Sequence, residues 1–574
     1  MKKEILDFIE ENNLSPFSEK KTIRSNYPIF KTIDAKSVHL KLLNKIFQNF
    51  EFENTENLFS FFNFIEDLKE IEKRQNFFFS LSKKNKEFLK KLVKPKQFWK
   101  PRYDIVIVTE SEETFLELKK LDCPVQFVNN EQDLGGLENS EIIQVIDCEN
   151  FSSALERLPQ TVFLNSIDEA YLERYLSLLS GWKSNLEVLE KEIFDEEASL
   201  VVKELFPLLN LINEEKRKKV TKQEVDEKLE EINSILQEKI KNMTLSGASF
   251  FEIVSKNKIP KEIEEVTKQA IQDSKLPGYL FNLSVPVSLD EREVEKFLKK
   301  QDAEEFTSSS EIIKRNARLL IQIPEKLKRL EDLLIYFDFI SGIYDFFEKH
   351  ELNNKIQISE ELLMENSKNI FLDKAQPISF YLNSELRCSI LTGANSGGKT
   401  TLLEHLLQLI SLVNLGFLCS GKIKIPLFSE IYYFAKNKGS ANKGAFETLL
   451  TQMSQIVTGK RTLILADEIE SVTEPGVAGQ VISATCNYFV RKGCFLVIAT
   501  HLGQEIQKKM PERTRIDGIE AKGLDENFEL IVDHNPVLGR LANSTPELIV
   551  EKMANSQKLD YFIYLNDYLK EKII

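Results

Sequence analysis

The stretch LTGANSGGKTTLLEHL, Leu391–Leu406, decides how the rest of this 574-residue chain is read. Gly393, Gly398, Lys399 and Thr400 fall at the spacing G-x-x-x-x-G-K-[ST]. Glycines at those places let the backbone curl until successive N–H groups point into one concavity. Together with the N-terminus of a following helix, such a concavity holds phosphate oxygens. The context has the required order. RCSILTG before the loop is apolar and strand-like, and TLLEHLLQLISLV after it has helical periodicity. The pattern predicts a cradle for ATP over Gly393, Ala394, Asn395, Ser396, Gly397, Gly398, Lys399, Thr400 and Thr401. Lys399 would reach the β- and γ-phosphates, and the Thr400 hydroxyl would face Mg2+.

Further along, RTLILADEIESVTEPG (461–476) contains a buried-strand run that ends in Asp467 and Glu468. An acid at such a strand end holds the Mg2+ shell in P-loop enzymes, which assigns Asp467. A second acid beside it can polarise the attacking water, which assigns Glu468 a catalytic role. CFLVIATHLGQEI (494–506) is another apolar strand, ending in Thr500 and His501, and a histidine at that tip can sense the γ-phosphate. Strand, P-loop, helix, long middle segment, Asp-Glu strand and Thr-His strand is the order of the ABC-type ATPases.

Within that class the residues resemble the MutS family. TGANSGGKTT matches its T-G-x-N-x-G-G-K-[ST], Asn395 included. LILADEIESVTEPG is similar to its L-x-x-x-D-E-x-x-x-x-T-x-P-x-x-G, with Thr473 and Pro475 in register, and IATHLGQEI to its A-T-H-x-x-x-L. LGFLCSGKIKIPLFSEIYYF (415–434) resembles the family's passage through a Gly-rich turn into a strand. These motifs cover roughly residues 385–505. The resemblance implies a homodimer with two composite ATP sites, each completed by a signature loop of the partner. That loop reads close to S-T-F-x-x-x-M in the family and GAFETLLTQM here (444–453): Thr448 and Met453 fit, and Glu447 stands where a serine is usual. ESV stands where GRG or GAG follows the second acid. The chain shows no mismatch-reading domain with its F-x-E wedge, and FEFE at 50–53 sits in a stretch that reads as helix. It shows no small nuclease-like domain at the C-terminus either. It therefore resembles the branch without the mismatch reader, in a minimal, archaeal-like form.

Ahead of the ATPase motifs the sequence changes character twice. Residues 1–100 carry apolar positions at three- and four-residue steps and predict helices, broken by KPKQFWKPR. Residues 101–166 contain YDIVIVTE, VQFVNN, IIQVID and TVFLNS with helical stretches between some of them, a small α/β domain with a parallel sheet. Residues 167–364 return to helix as lever or clamp arms. VDEKLEEINSILQEKIKNM aligns Val225, Leu229, Ile232, Leu236 and Ile240 on one stripe, readable as a packed helix, a short coiled coil or an amphipathic surface helix. SKLPGYLFNLSVPVSL (274–289) reads as extended. Residues 365–574 are the ATPase domain, ending in helices suited to dimerisation. The fold class is thus a C-terminal α/β ABC-type P-loop ATPase preceded by helical arms and a small inserted α/β domain.

The net charge of −14 excludes a uniformly basic protein but not a local grip on phosphates. Lys83, Lys84, Lys86, Lys90, Lys91, Lys94, Lys96, Lys100 and Arg102 face a single acid, Glu87, with Phe88, Phe98 and Trp99 interleaved. Two readings stand: a solvated helix end, or DNA contacts centred on Lys90, Lys91, Lys94 and Lys96. The six cysteines are scattered without a C-x-x-C pair, and no apolar window is long enough to span a membrane. The charged N-terminus MKKEILDFIEENN is not a secretory signal, so a cytoplasmic location is expected. The expected activity is ATP hydrolysis at a dimer interface that controls a clamp on branched or otherwise non-standard double-stranded DNA, in repair or recombination. An RNA- or ribosome-associated ATPase and a dimeric arm protein locked by ATP are the alternatives.

Overall fold

The computed structural model describes residues 1–23, 26–63, 65–96, 105–120, 124–140, 142–158, 161–192, 194–212, 220–241, 261–298, 300–301, 315–393, 398–436, 443–468, 475–524, 530–542, 546–557 and 559–571. The chain forms two compact units, Lys91–Leu330 and Met1–Lys90 with Glu331–Ile574.

In the unit Lys91–Leu330, strands β1 (Ile105–Thr109), β2 (Val125–Phe127), β3 (Ile142–Val145) and β4 (Thr161–Phe163) form an all-parallel sheet in the order β2-β1-β3-β4. Parallel neighbours need crossover connections, and the helices Glu112–Lys119 and Ser152–Leu155 lie within them. Ile105, Ile107 and Ile142 pack with Leu118 and Tyr171, while Val108 and Val145 pack with Val128 and Leu155. Both faces are thus covered, as a parallel sheet requires. The charged helix Lys222–Lys241 buries Val225, Ile232 and Leu236 in a cluster with Ala270 and Ile271 of helix Lys261–Asp273. Leu229 and Ile240 are partly buried against the same cluster, so the stripe is a packed face rather than a solvated one. The stretch read as extended holds a single 3-10 turn, Gly278–Leu280, and two short antiparallel strands, β5 (Phe281–Asn282) and β6 (Ser288–Leu289).

The other unit holds two sheets. β7 (Gln357–Ile358), β8 (Leu362–Ser367), β9 (Ile378–Leu382) and β11 (Lys422–Ile425) form one, in the order β7-β11-β8-β9. β10 (Cys388–Gly393), β12 (Glu430–Phe434), β13 (Thr462–Asp467), β14 (Phe495–Ala499), β15 (Thr514–Leu524) and β16 (Leu530–Val537) form the other, in the order β12-β13-β14-β10-β15-β16. All its pairings are parallel except β15 with β16. The carboxyl ends of β10, β13 and β14 therefore open on one edge, where open α/β sheets bind ligands.

The helix Lys399–Leu415 is apolar nearly all round, and its residues from Leu402 to Leu415 are buried, Glu404 excepted. It packs against helices Ile33–Phe47 and Leu68–Phe79. The N-terminal segment also joins the sheet. Ile431 N–H donates to the Ile29 carbonyl and Lys31 N–H to the Ile431 carbonyl, each at 2.9 Å, so Phe30 adds a parallel bridge beside β12. Thr32 Oγ1 accepts from Tyr433 N–H at 3.0 Å and from Ala35 N–H at 3.3 Å, capping its own helix while holding the strand.

Only the last residue of the FEFE segment is helical. Residues 51–52 form a bend, and the 3-10 helix begins at Glu53. The buried Asp338 carboxylate accepts from the N–H groups of Glu51 and Phe52 and from the Thr55 hydroxyl. This bonding gives the bend a structural role that helical periodicity does not reveal.

Candidate active site

Gly393 closes β10 with φ 129°, and a Cβ there would lie 2.2 Å from the Ile519 carbonyl oxygen, so only glycine fits between the strands. Gly398, with φ 92°, precedes the helix Lys399–Leu415. Lys399 is buried, and its ammonium donates to the Gly393 carbonyl at 2.6 Å. Thr401 lends its carbonyl to Asn369 Nδ2 at 3.1 Å. Ala394, Asn395, Ser396 and Gly397 lie outside the described residues, as does Thr473.

The Thr400 hydroxyl donates to Asp467 Oδ2 at 2.5 Å across the edge of the sheet. Asp467 Oδ1 is buried and has no hydrogen-bond partner among the described residues. Burial pushes the Asp467 carboxyl up, against the Thr400 hydrogen bond, and the neighbouring Glu468 charge adds to the rise. A hydroxyl and an unpaired carboxylate oxygen at this sheet edge are hard-oxygen ligands that fit Mg2+. Among the described residues no group of three or more His, Cys, Asp or Glu could hold a metal alone. That suits an ion that takes its remaining ligands from phosphate and water.

Glu468 stands one residue beyond β13 in the left-handed region, φ 47°, with its N–H donating to the Ala499 carbonyl at 2.9 Å. This is an unfavourable conformation for a residue with a Cβ, and it turns the side chain out of the strand's alternation. Oε1 meets His501 Nε2 at 3.0 Å and lies 3.9 Å from Lys399 Nζ, while Oε2 pairs with Lys436 Nζ. Burial raises the Glu468 carboxyl, but Lys436 and His501 outweigh it and hold the carboxyl below its ordinary range. His501 reaches this carboxylate because β14 lies between β13 and β10, so its tip falls between the two halves of the site. The structure thus brings Lys399, Thr400, Asp467, Glu468 and His501 to one place.

Two residues at this site carry no motif. Lys436, just past β12, is seen only once the β12–β13 pairing brings it to Glu468. His534 on β16 lies so close to Gly398 that a Cβ there would stand 2.9 Å from its Nδ1. Glu447 and Thr448 are exposed on helix Lys443–Ser454, whose Met453 is buried in the core below the sheet.

The basic run is partly spent inside the protein. Lys86 Nζ pairs with Asp345 at 2.7 Å, Lys83 with Glu348 at 3.1 Å, and Lys90 with Glu87 at 3.4 Å and Glu51 at 3.8 Å. Phe88 is fully buried against Phe337, so it cannot stack on a base. Lys91, Lys94 and Lys96 are exposed, with no acid paired to them among the described residues. Phe98, Trp99, Lys100 and Arg102 lie outside the described residues.

No protein-family model matches the chain. It is 28% identical to the "DNA-binding protein MutS2" of Pyrococcus furiosus, over 94% of this chain and 99% of that protein. It is 25% identical to the "Endonuclease MutS2" of Fusobacterium nucleatum over 41% of this chain and 31% of that one. It is 22% identical to the "DNA mismatch repair protein MutS" of a Thermotoga species over 38% of this chain and 28% of that one. The last two matches span about a third of those longer proteins. No helix among the described residues is long and apolar enough to cross a membrane.

Proposed function

The chain belongs to the MutS family, and from that premise we propose that it is an ATPase whose nucleotide state controls its grip on DNA. The observation that carries this reading is the convergence of Lys399, Thr400, Asp467, Glu468 and His501 at one sheet edge. Residues 365–574 act as the ATPase domain, residues 167–364 as arms, and residues 1–100 and 101–166 as the helical and small α/β parts that complete the grip.

In this mechanism Lys399 leaves the Gly393 carbonyl for the β- and γ-phosphates, and Thr400 and Asp467 would hold Mg2+. Bound there, Mg2+ neutralises phosphate charge. Glu468 takes the proton of the attacking water, held on its Oε1 side by His501 at 3.0 Å, and His501 acts as the γ-phosphate sensor. Two chains form the working unit. The helix Asp560–Glu571 exposes Tyr561, Tyr564 and Tyr568 at i, i+3 and i+7, an aromatic face suited to a second copy. In such a dimer Glu447 and Thr448, exposed on their helix, would meet the partner's nucleotide. ATP bound across that interface favours one arm geometry over another, which couples turnover to DNA.

The DNA recognised is branched or distorted. Several backbones converge at a junction and offer phosphates to exposed lysines, whereas one mispaired base changes little that such contacts can feel. Competition titrations at fixed salt, with and without ATP, test this on a four-way junction, a matched duplex and a single-mismatch duplex. The junction is preferred by about tenfold or more, and the mismatch by no more than about threefold over the matched duplex. ATP-insensitive binding, or preference for ribosomes over all three DNAs, overturns the reading.

A further inference from the structure

We propose that Lys436 is a further γ-phosphate-sensing residue of this site: it holds the Glu468 carboxylate before ATP binds and moves to the γ-phosphate when ATP arrives. The proposal rests on the ATPase reading above.

Lys436 follows β12, which pairs in parallel with β13, so the Lys436 ammonium lands beside the residue just beyond β13. There it takes Glu468 Oε2, while Oε1 belongs to His501 at 3.0 Å and faces Lys399 at 3.9 Å. Two ammonium groups therefore stand on opposite oxygens of one carboxylate. One of them is the lysine that binds the β- and γ-phosphates in P-loop enzymes, so the other lies within the same pocket of charge. The two differ in burial. Lys399 is 2% exposed, whereas the Lys436 side chain is 44% exposed on a flexible stem.

The lysine end of the pair is 44% exposed, so its ammonium can change partners without leaving solvent contact. A γ-phosphate brings more charge than a carboxylate into the same space, so it competes successfully for the ammonium. The exchange also has a chemical consequence. While Lys436 covers Oε2, that oxygen cannot accept a proton from water. Departure of the ammonium uncovers it, so the cation that senses the γ-phosphate also releases the base.

The fold does not need this ion pair. The Ala435 N–H donates to Asp34 Oδ2 at 3.1 Å, and the Tyr433 N–H donates to Thr32 Oγ1 at 3.0 Å. The backbone leading to Lys436 is therefore anchored from the N-terminal segment, independently of what the Lys436 side chain holds.

ADP lacks the γ-phosphate, so the ratio of affinities reads Lys436 directly. Full-length protein and the Lys436→Ala and Lys436→Arg variants are titrated calorimetrically with Mg2+-ADP and with the Mg2+ complex of the β,γ-imido analogue of ATP. Lys436→Ala weakens the analogue by about tenfold and changes ADP by less than about twofold. Lys436→Arg restores the preference, because it keeps the charge. Equal weakening of both nucleotides makes Lys436 merely structural, and an unchanged ratio removes it from the site; either result overturns the proposal. If the unsubstituted protein binds neither nucleotide, the ATPase reading itself fails, and this inference with it.

Discussion

Glu468→Gln separates nucleotide binding from chemistry. The substitution keeps the shape of a side chain whose oxygens sit 3.0 Å from His501 Nε2 and in contact with Lys436. The amide still accepts from one of these partners, but it is a far poorer proton acceptor. Loss of a positioned base costs turnover roughly 100-fold, about 2.7 kcal/mol on the barrier. The fold changes little, because the substitution removes the buried charge of the pair and leaves only the half-exposed Lys436 ammonium, which solvent can reach. Nucleotide affinity is kept, since Lys399, Thr400 and Asp467 are untouched. Steady-state phosphate release measures the turnover, calorimetry measures the affinity, and sedimentation in ATP shows a shift toward dimer. Turnover within about threefold of the unsubstituted protein, with affinity intact, refutes the assignment and means that another group polarises the water.

Replacing Lys90, Lys91, Lys94 and Lys96 by Gln weakens duplex binding equally for all sequences. It also flattens log K against log salt by up to ~0.9 per lost contact. Lys90 contributes least, because Glu51 and Glu87 already share its charge, and an unchanged slope means the run is only solvated. His39 is buried between Tyr27 and Phe30, neither ring nitrogen has a hydrogen-bond partner among the described residues, and burial lowers its pKa to about 4. The stability held by the neutral ring is complete above the ordinary value of 6.5 and is lost as pH falls toward 4. That loss amounts to up to ~3 kcal/mol. His39→Phe removes this part of the acid sensitivity, and denaturant melts at pH 7 and pH 5 check it; an unchanged difference between the two means the ring does not stay neutral.

Local pattern alone singled out Lys399, Thr400, the two acids and the strand-tip histidine, which the fold brings together. A glycine at each end of the loop, a lysine and a hydroxyl at fixed spacing, and apolar runs ending in Asp467-Glu468 and Thr500-His501 are properties of short segments. Their chemistry requires that order whatever surrounds it. The parallel strands at 105–163 were legible for the same reason, as short apolar runs bounded by turns. The helical stripe at 225–240 was visible as a stripe, but periodicity could not say whether it meets water or Ala270 and Ile271.

Contacts between distant segments were decided only by tertiary structure. Helical periodicity carried the FEFE reading into a bend, because the buried Asp338 that bonds its N–H groups lies nearly three hundred residues away. Phe88 looked available among lysines until Phe337 covered it, and Lys86 looked free until Asp345 took its charge. Lys436 belongs to no motif; it reaches Glu468 because β12 pairs with β13 and the N-terminal segment holds the end of β12. The physical reason is the same throughout. A P-loop's chemistry is encoded by neighbours along the chain, whereas burial and ion pairing depend on neighbours in space, which no spacing along the sequence records.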